Sequence, residues 1–458
     1  MTSNQRGGPG RLRPRPRSDE RSDLADPGAG DAPTQQREIA SPATGYNDEA
    51  ARRRHGVAAE ARSRRWRVAI VAVSIFAVVV IAVGVIVGLR LRHAHQSVSP
   101  RTSAPSSAAA VTTSAVPPGC DISSLLASMS PRDKLAQLLM VGVTDAADAR
   151  AVVANQKVGG IFIASWTNLT MLTDGSLKEI ADSAGPLHLA VSVDEEGGRV
   201  ERLSSLIGKA PSARVLAQND TPDQVYQLAL DRGRQMLKLG ITIDFAPVVD
   251  VTDAADDTVI GDRSFSNVAA TVTQYAGEYA RGLRDAGVLP VLKHFPGHGH
   301  ASGDSHATGV TTPSLAEMQD VDLVPYRSLV AQLPVGVMVG HMQVPGLTGD
   351  DQASLSPAAI ALLRDGFGYG GPAFDGPIFT DDLSSMKAIT DRYTISEAVL
   401  KALQAGNDTA LWVSTTAVSA VLDRLVQAVN AKELDITKVE ASVRRMAAAK
   451  ALNSQCGH

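Results

Sequence analysis

From residue 121 onward, short runs rich in Val, Ile and Leu alternate with amphipathic segments. Eight runs read as strands: 138–143, 158–164, 187–194, 241–250, 288–295, 335–341, 377–383 and 408–413. Most lack a period-two alternation, which is the pattern of parallel strands buried on both faces. Helices are expected between them, and several carry start signals. Ser130-Pro131-Arg132-Asp133 offers an N-cap, proline at the first helical position and an acid at the third. Thr221-Pro222-Asp223-Gln224 and Thr394-Ile395-Ser396-Glu397 repeat that logic. Gly240 and Gly287 follow helical runs, where a left-handed residue is wanted. Eight strands with intervening helices predict an α/β fold, a (β/α)8 TIM-type barrel. A doubly wound sheet is the alternative, but no GxGxxG follows a first strand.

Composition bounds the class. The 458 residues are 44% hydrophobic and 20% charged, with two cysteines. That excludes a disordered or collagen-like chain and a disulfide-dense mini-protein. Length alone allows two or three domains. Aromatics make up 4%, too few for a stacking surface, so no nucleic-acid partner is expected. The formal net charge of −4 hides a gradient. Residues 1–67 hold 14 Arg, no Lys and 9 acids, or +5, whereas 102–458 carry 27 basic and 39 acidic groups, or −12.

Between these parts lies an uncharged run of 22 residues, 68–89 (VAIVAVSIFAVVVIAVGVIVGL). As a helix it would be about 33 Å long, enough to cross a hydrocarbon core. Seven Arg fall in 52–67, against Arg90, Arg92 and Arg101 on the other side. The positive-inside rule then sets the N-terminus in the cytoplasm and 90–458 outside. The expectation is a single-pass membrane protein with an extracytoplasmic folded domain. Residues 1–67 are expected to be a disordered, Arg-rich cytoplasmic tail. Residues 90–119 read as a Ser/Thr/Ala/Pro linker, and 120–458 as the barrel. Cys120 and Cys456 bracket that barrel. In an oxidising compartment such a pair is expected to bridge, and a last helix docked beside the first would bring them close.

Polar residues gather at the C-terminal ends of the expected strands: Asp194, Asp250, Lys293-His294, His341 and Asp381-Asp382. In a barrel those ends form one rim, and the active site lies there. The loop after the fifth strand is the densest, with four of the chain's ten histidines within 13 residues: His294, His298, His300 and His306. Two chemistries compete. His298-x-His300 with His294, His306, His341 and a carboxylate could bind zinc. Alternatively, Asp304 and His306 form a dyad in which the carboxylate raises the basicity of the imidazole. Spacing alone does not choose.

VDEEGGRVERL (193–203), IGDRSFS (260–266), KHFPGHG (293–299), DSH (304–306), VMVGHMQVP (337–345) and IFTDDLSSMKAI (378–389) resemble glycoside hydrolase family 3. More closely they resemble its single-domain bacterial β-N-acetylglucosaminidases. MSPRDKLAQLLMVG (129–142) is similar to that family's opening helix and first strand. The similarity spans residues 121–450, with the motifs in matching order. KHFPGHG, DSH and TDDL together are highly specific; GGR alone would be weak.

The resemblance implies that Asp381 is the catalytic nucleophile. His306 is then the general acid/base, and Asp304 the carboxylate that supports it. It implies further that Asp194, Arg202, Arg263, Lys293 and His294 hold the terminal N-acetylglucosamine. It implies no metal and no cofactor. Asp250 is expected to order the rim and Asp382 to be structural. His298, His300 and His341 receive no role. Glu195 stands where glutamine is common, with little effect expected on sugar binding. Many members carry a second domain that supplies a glutamate acid/base; here no residues remain for one. The acid is therefore expected from the Asp304/His306 loop, whose Gly297, Gly299 and Gly303 suggest mobility.

The implied reaction is retaining hydrolysis in two displacements. A histidine acid, with an ordinary pKa of about 6.5, suits a role that needs both protonation states near neutrality. With the folded domain facing the wall of a bacterial cell, the expected substrate is N-acetylglucosamine at the non-reducing end of peptidoglycan fragments. Three alternatives stand beside it: a zinc-dependent barrel hydrolase, a phosphorolytic variant, and a catalytically silent wall-binding module.

Overall fold

The computed structural model describes residues 122–304 and 309–450. Within them lie all eight expected barrel strands, trimmed at their ends. They are β1 (Leu139–Val143), β2 (Gly160–Ile163), β3 (Ala190–Val193), β4 (Ile243–Asp244), β5 (Leu289–Phe295), β7 (Gly336–Val339), β9 (Ile378–Thr380) and β10 (Ala410–Trp412). All the pairings are parallel, and neighbours follow chain order through β1-β2-β3-β4-β5-β7-β9, with β10 on the far side of β1. The two ends of this series meet. Phe379 forms a parallel bridge with Thr409, and Thr380 N donates to Thr409 O at 3.0 Å. The sheet therefore closes on itself as a barrel, and the doubly wound alternative is excluded by strand order.

The absence of alternation in the strands has a direct cause. Met140, Phe162, Phe245, Val291, Met338, Phe379 and Leu411 point into the barrel and pack together. Their neighbours Leu139, Val141, Ile161, Ile163, Leu292 and Val337 point outward into the layer beneath the helices. Both faces of each strand are thus apolar and buried. Phe245 meets Phe379 edge to face, with ring centroids 5.5 Å apart, which plugs the interior below the site.

Helix ends follow the local chemistry. Ser130 accepts from Asp133 N before the helix Pro131–Ala136. Thr221 and Gln224 form a full capping box at the start of Pro222–Lys238. Thr394 accepts from Glu397 N before Ile395–Ala405. Gly287 stops Ala269–Ala286 at φ 92°, in the left-handed region that glycine adopts without cost.

Three expectations need revision. A two-stranded parallel ribbon, β6 (Val310–Thr311) with β8 (Met342–Gln343), was not expected, because two-residue strands leave no periodic signal. Gly299 does not serve mobility: a Cβ there would lie 2.0 Å from Val251 O, so it is a close-packing glycine. Gly297 likewise packs against Asp322, whose Cβ would be 2.6 Å away. The membrane reading is corrected as well. Among the described residues no helix is long and apolar enough to cross a membrane. The run 68–89, the tail 1–67 and the linker 90–119 lie outside those residues. The single-pass anchor and the extracytoplasmic location therefore have no structural support. Cys120 and Cys456 also lie outside the described residues.

Candidate active site

The C-terminal ends of the barrel strands open into a cavity of about 330 Å³. Asp194, Arg202, Arg263, Lys293, His294 and Asp381 all line it. Six of the eight residues singled out from sequence thus converge on one space. The other two are Asp304 and His306. Asp304 is half-buried and is not among the described residues that line the cavity. His306 lies outside the described residues.

β3 delivers Asp194, and the loop that follows is folded back by one side chain. Glu195 is fully buried, and its Oε2 accepts from Arg202 N at 2.7 Å and Leu203 N at 2.8 Å. Its Oε1 pairs with buried Arg232, while Tyr279 OH donates to its carbonyl at 3.1 Å. Glu195 does not line the cavity; it fixes the loop that carries Arg202 to the cavity wall. The Arg202 guanidinium makes no hydrogen bond or ion pair among the described residues and is available to a ligand.

β5 delivers Lys293 and His294 into a dense charge network. Lys293 Nζ lies 2.6 Å from both Asp194 Oδ1 and Glu196 Oε1, with its side chain 2% exposed. Arg263 grips Glu196 with two parallel bonds of 2.8 Å, the strong bidentate geometry of guanidinium and carboxylate. Burial alone would lower the Lys293 ammonium, but Asp194 and Glu196 outweigh it and hold it above its ordinary value. Burial would likewise raise Glu196, yet Arg263 and Lys293 pull it far below the usual carboxylate range. Glu196 was not singled out from sequence. Its signal was an acid two residues beyond the strand-end Asp194.

His294 is held from behind. Its Nδ1 lies 2.7 Å from Asp250 Oδ2, and Asp250 Oδ1 accepts from His298 N at 2.7 Å. Asp250, at the end of the fourth strand segment, thus orders the rim as expected. Burial opposes its ionisation, but His294 and His298 keep it below its ordinary value. With Nδ1 donating to Asp250, the other ring nitrogen faces Arg263 Nη2 at 3.4 Å.

β9 delivers Asp381. Its backbone N donates to Val339 O at 3.0 Å, and its Oδ1 accepts from Asp382 N at 2.9 Å. Burial would raise its carboxyl; His294, His341, the Asp382 amide and Lys293 outweigh this and hold it lowered and ionised. Asp382 also borders the cavity, but its Oδ1 is engaged locally, accepting from Ser384 N and Ser384 Oγ at 2.8 Å each. It is therefore a turn-former, as expected.

The described histidines do not assemble the zinc site that their spacing allows, and His306 lies outside the described residues. His294 engages Asp250. His300 Nδ1 faces Asp322 Oδ1 at 3.0 Å. His341 bridges Ser354 Oγ (2.7 Å) and the Asp382 carbonyl (2.9 Å). His298 is buried, with neither ring nitrogen partnered among the described residues. Among the described residues no group of three His, Cys, Asp or Glu side chains is arranged to hold a metal.

The Glu196 cluster carries a stability prediction. A carboxyl depressed in the folded state stabilises the protein above its unfolded pKa of about 4.3, and that contribution is lost as pH falls through the folded value. Wild-type protein is expected to lose stability progressively below about pH 4.3. Glu196→Gln should be less stable near neutrality and show a flatter acid limb. Denaturant unfolding across pH checks this; an unchanged acid limb in Glu196→Gln would remove Glu196 from the titration.

Comparison with known proteins agrees with this architecture. Residues 130–449 match the glycosyl hydrolase family 3 N terminal domain. The Beta-hexosaminidase LpqI of Mycobacterium tuberculosis is 67% identical over 344 residues, covering 75% of this chain and 88% of that protein. A solved structure of M. tuberculosis LpqI superposes with a TM-score of 0.71 at 68% identity, covering 72% of this chain and 96% of that one. The family 3 β-N-acetylglucosaminidase of a Paenibacillus species superposes with a TM-score of 0.66 at 31% identity, covering 71% of this chain and 64% of that one. With the closed parallel barrel, the strand-end cavity and a family match over most of its length, this chain belongs to glycosyl hydrolase family 3.

Proposed function

We propose that the chain is a retaining, exo-acting β-N-acetylglucosaminidase that releases terminal N-acetylglucosamine from peptidoglycan fragments. The glycoside hydrolase and β-hexosaminidase class follows from family membership and from the high identity to LpqI. The observation that carries the mechanism is Asp381, an ionised carboxylate on the cavity wall beside a buried network of two cations and two acids. Such a network presents fixed charges and donors to sugar hydroxyls and excludes bulk water. A cavity of about 330 Å³ sits at the small end of ligand sites, which suits one terminal sugar rather than an internal chain segment.

In this reading Lys293, His294, Asp194, Arg202 and Arg263 bind the N-acetylglucosamine. Asp381 attacks the anomeric carbon while His306 protonates the glycosidic oxygen, and the aglycone departs. The product of this step is a glycosyl ester on Asp381. His306 then takes a proton from water, which attacks the ester and releases the sugar with net retention. Asp304 raises the basicity of the imidazole and orients it. Glutamate acids are usual in glycosidases; a histidine does the same work because its two forms are both populated near neutrality.

Product analysis tests this reading. Purified peptidoglycan fragments, incubated with and without phosphate, should yield free N-acetylglucosamine in both cases. Proton NMR of the first turnovers should show the β-anomer. The α-anomer as first product would exclude a double displacement, and N-acetylglucosamine 1-phosphate would make the enzyme a phosphorylase.

A further inference from the structure

The cavity mixes charge with apolar surface. Asp194, Glu196, Arg202, Arg263, Lys293, His294, Asp381 and Asp382 line it together with apolar side chains that include Phe162, Trp166, Met386 and Val413. Most of the apolar residues are covered by their neighbours. Trp166 is the exception, with 53% of its surface exposed. An indole this exposed forgoes burial that a core position would give it.

Its position is not the accident of a loose loop. Trp166 sits in a tight turn just past β2, where Thr167 N donates to Ala164 O at 3.2 Å. Thr167 is buried, its Oγ1 donating to Val143 O at 2.7 Å and accepting from Ala164 N at 2.9 Å. Asn168 N donates to Thr144 O at 2.8 Å. The turn is thus closed across the indole and pinned to the end of β1. Four hydrogen bonds hold the backbone while the largest side chain of the turn stands out at the cavity mouth.

We propose that Trp166 is the stacking platform for the leaving group's first sugar ring, so that the enzyme is built for a disaccharide end and not for the terminal sugar alone. A pyranose carries its hydroxyls around its edge and presents C–H groups on its face. The edge suits the charged groups and the face suits an aromatic plane. A terminal sugar held by Asp194, Lys293 and Arg263 directs its anomeric carbon toward Asp381, and the next ring must leave through the mouth. An aromatic ring there is rigid, with few rotamers to freeze on binding. This inference rests on the exo-glycosidase reading above, and names the group that reads the aglycone.

The test compares Trp166→Ala and Trp166→Phe with wild type on β-1,4-linked di-N-acetylchitobiose and on methyl β-N-acetylglucosaminide, with free N-acetylglucosamine as a competitive inhibitor. Wild-type release of N-acetylglucosamine from chitobiose establishes the glycosidase reading independently of Trp166. Trp166→Ala should raise KM for chitobiose about tenfold, the size of an aromatic stacking contact. The methyl glycoside KM and the inhibition constant for N-acetylglucosamine should move less than about twofold. Trp166→Phe should recover most of the chitobiose loss. A chitobiose KM within twofold of wild type in Trp166→Ala would overturn the proposal. So would a parallel rise in the inhibition constant, which would make Trp166 a support of the terminal-sugar pocket instead.

Discussion

Asp381→Ala is expected to lower kcat on a p-nitrophenyl N-acetylglucosaminide by roughly 10⁴-fold or more, the scale on which enzymes lose a covalent nucleophile. The fold should survive, because Asp381 contributes its backbone N to the ladder, and alanine keeps that bond to Val339 O. Its side chain accepts one local bond, from Asp382 N, and that amide belongs to a turn held separately by Ser384. Melting within a few degrees of wild type is the control. A second readout distinguishes a nucleophile from a positioning group. Azide should restore part of the turnover in Asp381→Ala and give the α-glycosyl azide, since a small anion in the vacated space attacks from the same face. Near-normal activity without azide would remove Asp381 from the mechanism. Restoration with the β-azide as product would exclude a direct displacement.

The second large effect concerns Lys293. Its ammonium is buried between two carboxylates, Asp194 and Glu196, at 2.6 Å from each. Replacing it with methionine keeps the aliphatic bulk but leaves both acids facing each other. Removing one partner of a buried ion pair costs about 3–5 kcal/mol, most of it the penalty of the charges left behind. Arg263 still neutralises Glu196, so the cost should fall toward the lower end of that range. Lys293→Met should therefore melt several degrees below wild type and bind N-acetylglucosamine more weakly. Adding Asp194→Asn to Lys293→Met removes the charge left stranded, because Arg263 still pairs with Glu196 whereas Asp194 has lost its ion-pair partner. Part of the stability should return while activity does not. Thermal unfolding and inhibition by N-acetylglucosamine, measured on both variants, separate the two effects. If the double variant were no more stable than Lys293→Met, the stranded-charge account of the loss would be wrong.

These two residues illustrate different degrees of legibility. Asp381 was legible as a strand-end acid at the rim, and the ladder sets it on the cavity wall, whereas its part as nucleophile came from the family resemblance. Lys293 was readable as a rim residue, but not as the centre of a four-charge network. Glu196 escaped notice for the same reason. Its role depends on Arg263, 67 positions away, and on Lys293, and no local pattern couples such distant residues. Asp250 and Asp382 were assigned supporting roles, and the structure makes each role specific. Asp250 holds His294, and Asp382 caps a serine turn. Glycines misled. Gly297 and Gly299 looked like hinges, but each marks a close approach of backbone or side chain from another element. The histidine cluster left two chemistries open in sequence; in space His294 and His298 share Asp250, while His300 faces Asp322.

By itself the sequence determined the alternation of strands and helices. Runs apolar on both faces separated by capped helices point to parallel strands covered inside and out, and the missing GxGxxG favoured a barrel over a doubly wound sheet; the bridge between Phe379 and Thr409 closed it. The sequence also determined the rim, because strand ends share one side of such a barrel wherever they fall in the chain. Only the tertiary structure decided which rim residues line the cavity, which brace them and which face elsewhere. Those distinctions rest on distances of a few ångströms between residues tens of positions apart. Charge and burial decide them too: Arg263 and Lys293 hold buried Glu196 ionised against the pull of burial, and one tryptophan is left uncovered at the mouth.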